Sequence, residues 1–112
     1  MTDKEKKARN KRERQEMVPV GEKVLEQIKD ITDTQNKYVK DYLGDAGKYF
    51  ASGAPGQKRE FRLAGIQGAV WKAELAVGYA EGSGLFIALK CYNDCKSVYE
   101  KHIADDLMFP CG

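Results

Sequence analysis

Apolar residues recur along this 112-residue chain at helical spacing, and no run alternates with the period of two that marks a half-buried strand. From Gly21 onward Val24, Ile28, Ile31, Gln35, Tyr38 and Tyr42 follow one another at intervals of three or four, with Leu25, Val39 and Leu43 beside them. That spacing aligns them on one helical face. Asp30, Asp33, Lys37, Lys40 and Asp41 fall mostly off the stripe. Pro19 punctuates the chain before it, Gln35 interrupts its centre, and Gly44 and Gly47 predict fraying or a bend near residue 44. Residues 52–57, SGAPGQ, are a strong breaker and read as the turn of a helical hairpin.

The next stretch, residues 62–92, holds five Gly and six Ala, and its larger apolar residues project on every side of a helix. A helix that is apolar all round is buried in protein or in lipid. Ala69, Ala73, Ala76, Ala80, Gly84 and Ala88 recur at close helical spacing, which lets a second backbone approach, so they are the candidate packing surface. The tetrapeptide Glu81-Gly82-Ser83-Gly84 is the weak point. Two glycines within three residues can end one helix, and Ser83 can start the next, giving helices over about 58–80 and about 85–105. In the latter, Leu85, Leu89, Tyr92, Tyr99 and Ile103 form the predicted apolar face.

Charge changes the picture at the N-terminus. The net charge of +2 is unevenly placed. Residues 1–16 carry seven bases, Lys4, Lys6, Lys7, Arg9, Lys11, Arg12 and Arg14, against four acids. With no apolar periodicity, residues 1–17 read as a charged basic tail, disordered or ordered by a partner, ahead of a single helical domain over 18–112. The tail is the candidate arm for an anionic partner, nucleic acid or an acidic surface. Three cysteines, an odd number, argue against a disulfide framework and fit a reducing, intracellular compartment. No apolar run follows the basic start, so no secretory signal is predicted.

Candidate chemistry is sparse. Cys91, Cys95 and His102 would share one side of a continuous helix, but Cys95 and His102 stand about 10 Å apart along the axis, too far for one ion. The cysteines therefore read as structural, with no metal or cofactor expected. A lone histidine without a nucleophile motif offers no catalytic triad, and no catalytic residues are assigned. The expected fold is all-α, about three helices in a small bundle or extended hairpin behind the charged tail. The expected function is non-enzymatic: a small subunit or adaptor that assembles into a homo-oligomer or larger complex through the Ala/Gly-rich helix. One alternative is an accessory subunit embedded in a membrane complex through residues 71–92, whose aromatic and Lys flanks suit an interface but whose Glu74 and Glu81 do not. The other is a nucleic-acid-associated protein using the basic tail.

Overall fold

A computed structural model describes residues 2–31 and 37–108, the side chains of residues 105–108 excepted. The described residues form four helices rather than about three: α1 (Asp3–Gln27), α2 (Lys37–Ser52), α3 (Arg59–Tyr79) and α4 (Ser83–Met108), with a 3-10 turn at Ile28–Asp30. The fold class is all-α, as expected. The chain is helical from Asp3, within the stretch expected as a charged tail. The amphipathic run expected as one helix from Gly21 is split between α1 and α2, and Gln35 lies outside the described residues.

The start of α1 is capped locally. The Thr2 hydroxyl accepts from the Glu5 backbone N–H at 3.2 Å and lies 3.1 Å from the Glu5 carboxylate, so Thr-x-x-Glu acts as a close relative of the capping box. Pro19 does not break the helix. It removes one N–H bond to the Gln15 carbonyl, but both residues are on the exposed side, where water can serve that carbonyl. Buried Met17, Gly21 and Val24 hold the helix on either side of it.

Cross-helix contacts set the directions. Glu13 meets Arg59 and Arg62, and Tyr49 reaches the Arg62 carbonyl, at one end. Tyr79 stacks on Tyr42 at the other. The helices therefore run alternately up and down, each against the next in sequence, with α4 returning to α1. The molecule is elongated, 50 × 22 × 17 Å.

The tightest approach joins α1 and α2. A Cβ on Gly21 would collide with the Ala51 backbone nitrogen and sit 2.6 Å from the Gly47 carbonyl oxygen. Gly44 and Gly47, expected to weaken the helix, are both buried inside α2; a Cβ on Gly47 would come within 3.0 Å of the Val24 and Leu25 side chains of α1, whereas one on Gly44 would meet only Ile28, at 3.8 Å. The SGAPGQ segment is the α2–α3 turn, with positive φ at Gly53, Ala54 and Gly56. The break after α3 is also present: Ala80 is extended, Gly82 has φ +58°, and α4 starts at Ser83. Residues 71–92 are thus not one helix, and no helix among the described residues is long and apolar enough to cross a membrane.

In α4 the buried stripe is Gly84, Ala88, Cys91, Cys95, Val98 and His102. This lies one residue, about 100°, from the predicted Leu85–Leu89–Tyr92–Tyr99–Ile103 face. Small side chains occupy the centre of the contact, and the larger ones lie half-buried along its edge, Leu89 being exposed.

These contacts generate a paired expectation. Gly21→Ala forces backbone against backbone and should destabilise by about 3 kcal/mol or more. Gly68→Ala meets nothing within 4 Å and should stabilise by up to about 1 kcal/mol through helix propensity. Urea unfolding of the two variants checks both signs.

Candidate functional site

Three helices carry a continuous buried stripe that ends on an ionisable residue. In α1 it is Glu13, Met17, Gly21 and Val24; in α3 it starts Arg62, Ile66, Ala69; in α4 its last members among the described side chains are Cys95, Val98 and His102. Because the helices alternate in direction, Glu13, Arg62 and His102 meet at the same end of the bundle. All three are fully buried.

The Glu13 carboxylate is the centre of this cluster. Arg59 grips it with two parallel bonds, Nε to Oε1 at 2.8 Å and Nη2 to Oε2 at 3.0 Å. Arg62 Nη2 donates to Oε1 at 2.6 Å. Arg59 Nη2 also donates to the His102 carbonyl at 3.0 Å, tying α4 to the pair. The His102 ring turns towards α1, with Nε2 3.3 Å from Glu16 Oε2 but without the alignment of a hydrogen bond. Glu16 is held from the solvent side by Lys101 at 3.0 Å. From α2, the Tyr49 hydroxyl lies 2.9 Å from Gln57 Oε1 and 3.1 Å from the Arg62 carbonyl, in space left by the missing side chain of Gly65.

Burial alone would raise the Glu13 pKa, but the Arg59 hydrogen bond and the charges of His102, Arg59 and Arg62 outweigh it and hold the carboxyl below its ordinary value. Burial pushes His102 down, against the pull of Glu13 and Glu16, so its imidazole is neutral near pH 7. The cluster then holds two carboxylates and two guanidiniums, in balance. Cys91 and Cys95 lie apart from it. Burial pushes their thiols up to about 11 and about 12, so neither is a thiolate at neutral pH. Cys91 Sγ donates to Gln27 Oε1 at 3.3 Å. Among the described residues no group of three or more His, Cys, Asp or Glu side chains could hold a metal ion.

A different surface lies on the outer side of α3. Trp71, Leu75 and Tyr79, each four residues on from the last, are 58, 50 and 56% exposed. With Glu74 and Gly78 they line a groove of about 570 Å³. Nothing lies within 4 Å of where a Gly78 Cβ would be. Tyr79 extends the patch onto α2, stacked on Tyr42 with ring centroids 6.0 Å apart and 6.1 Å from Tyr38.

The small-residue surface anticipated from the sequence lies elsewhere. Ala69, Ala73, Ala76, Gly84 and Ala88 are buried and Ala80 is half-buried, so their close packing is within the chain. The basic arm is helical: Lys4, Lys6, Lys7, Lys11 and Arg12 are exposed and Arg9 and Arg14 half-buried. Arg12 lies 3.8 Å from Glu16, and Arg14 donates to the Gln57 carbonyl at 3.3 Å. The ionic cluster was not foreseen. Its trace in the sequence is the 4-4-3 register of Glu13, Met17, Gly21 and Val24, which carries the core stripe of α1 back across the supposed tail. No family model matches the chain, and neither does any curated protein or solved structure.

Removing one member of the cluster strands the others. Glu13→Leu leaves Arg62 buried without its counter-charge and should cost about 3–5 kcal/mol. Adding Arg62→Met to it should recover a large part of that loss, since an apolar pair replaces an unpaired charge. Urea denaturation of the two single variants and the double variant measures the coupling.

Proposed function

We propose that this chain is a non-enzymatic helical subunit that assembles with further copies of itself, and that the contact is the outer face of α3. The observation that carries this reading is the row of Trp71, Leu75 and Tyr79, exposed together beside the open groove at Gly78. Large aromatic residues grouped around a concavity are what a binding centre presents, and a contiguous apolar patch on a small domain calls for a partner. The ionisable groups of the cluster are buried or turned to one another, which supports a structural rather than a catalytic use for them.

The face is suited to a two-fold contact. Trp71 and Gly78 are seven residues apart, about 10.5 Å along the axis. A dyad midway between them sets the Trp71 ring of each copy over the Gly78 groove of the other, with Leu75 near the axis, as an isologous contact requires. This surface replaces the small-residue stripe in the assembly reading.

A second reading has its own observation. Lys4, Lys7 and Lys11 recur at three and four along an exposed stretch of α1, a row that could follow a phosphate backbone. Asp3 and Glu5 dilute it, so it ranks second.

Gly78→Leu fills the groove without touching the core and should keep the helical fold of the parent while abolishing assembly. Sedimentation velocity across the micromolar range, with the emission maximum of Trp71, the sole tryptophan, reports both association and burial of the ring. A parent chain that sediments as a monomer with solvent-exposed Trp71 throughout, or a Gly78→Leu variant that assembles unchanged, overturns the proposal.

A further inference from the structure

The groove on the outer side of α3 carries charge at one place. Of the residues that line it, only Glu74 is ionised at neutral pH. Its side chain is exposed and makes no hydrogen bond or ion pair with the described residues. Around the helix Glu74 stands about 40° from Gly78 and about 60° from Trp71, so it borders the groove on one flank. Its neighbours one turn away along α3, Val70, Trp71, Val77 and Gly78, are uncharged. The opposite flank lies beside α2, and there the Lys72 charge is met by Asp45 at 3.3 Å.

We propose that Glu74 is the specificity-determining residue of the α3 contact, because the two-fold axis brings the Glu74 carboxylates of the two copies face to face. The assignment rests on the assembly reading and adds to it a charge that opposes the self-contact. An axis midway between Trp71 and Gly78 passes half a residue from Glu74, so the two Glu74 positions differ in height by about 1.5 Å. An axis relating antiparallel neighbours stands at right angles to both helices and to the line joining them. It reverses chain direction but leaves each flank on its own side. Glu74 therefore meets its own counterpart, and the Lys72 flank meets the other Lys72 flank.

Packed helix axes lie about 8–10 Å apart. Two like charges at that separation weaken association about twofold in water, and by more where the rings exclude solvent. The contact is thus attractive through Trp71 and Leu75 and repulsive at one edge through Glu74. A partner with the same apolar face but a base in place of Glu74 turns that repulsion into attraction, so the edge discriminates between a second copy and such a partner. Only a residue beside the axis behaves in this way. A charge elsewhere on the face meets a different residue of its partner, and reversing it creates no preference for unlike copies.

Net charge predicts the opposite sign. The chain carries +2, so removal of an acid makes two copies repel more strongly overall, and a tighter contact reports the local pair. Gln and Lys are good helix formers, and far-UV circular dichroism checks that Glu74→Gln and Glu74→Lys keep the fold. Sedimentation velocity of the full chain at about 0.01 M ionic strength should show Glu74→Gln associating about twofold or more tighter than the parent. The gap should close at about 1 M salt, where the screening length is about 3 Å. In an equimolar mixture of the parent and Glu74→Lys, one of them isotopically labelled, native mass spectrometry should find mixed dimers well above the half that random pairing gives. A Glu74→Gln contact no tighter than the parent's, or random pairing in the mixture, while Gly78→Leu still abolishes assembly, overturns the role of Glu74 and leaves the assembly reading standing. Parent, Glu74→Gln and mixture all remaining monomeric overturns both.

Discussion

The carboxylate of Glu13 is the constraint on which one whole end of this protein depends. A bare buried carboxylate is among the most expensive groups a small domain can enclose, and here two arginines from α3 make it tolerable. The arrangement confers register more than net stability, since a buried ion pair roughly balances its own desolvation. Sliding α1 by one turn would bring Arg9 or Met17 opposite Arg62. The first is a like charge, and the second leaves the guanidinium without a counter-charge. Neither slip is accessible at modest cost, so α1 has one place to sit against α3. Because Arg59 also binds the His102 carbonyl, the same constraint reaches α4.

Steric closeness does the equivalent work between α1 and α2. Gly21 lies against the backbone of Gly47 and Ala51, where any side chain would push the helices apart. The register of the first two helices is thus set by absence of bulk, and that of α1 with α3 and α4 by charge. The two devices act at different levels of one helix, Glu13 and Gly21, separated by two turns. Together they leave α1 no freedom to rotate or translate, although it carries few large apolar side chains.

The class of fold, the SGAPGQ turn and the Gly82 turn were legible because they rest on local signals: helical periodicity and backbone breakers. The length of α1 was not. Residues 3–16 carry no apolar repeat, since their contribution to the core is a single charged residue, and a buried glutamate looks in sequence like any solvated one. Arg62 and His102 were hidden for the same reason: each becomes interior only through partners more than forty residues away. The one-residue error in the α4 face has a different origin. Weighting by side-chain size selects Leu85, Leu89 and Tyr99, whereas close helix approach places Ala88, Cys91 and Cys95 at the centre and moves the bulky residues to its margin.

That preference for small residues inside also explains why α3 looked apolar on every side. Its inner face is made of Ala69, Ala73 and Ala76 with Ile66 and Val70, while Trp71, Leu75 and Tyr79 face outward. An isolated bundle gains nothing by this distribution. The largest apolar side chains bury the most area when covered, and here Trp71, Leu75 and Tyr79 remain half in water, as does Phe61 nearer the start of the helix. Covering them from within would require widening the bundle, which the alanines and the Glu13 cluster both oppose. Covering them from without requires only a second surface of matching shape, and the open groove at Gly78 supplies a receptor for a bulky ring within the same patch. The two apolar faces of α3 therefore have separate causes: the small one answers to the fold, and the large one is the reason for placing assembly on this helix.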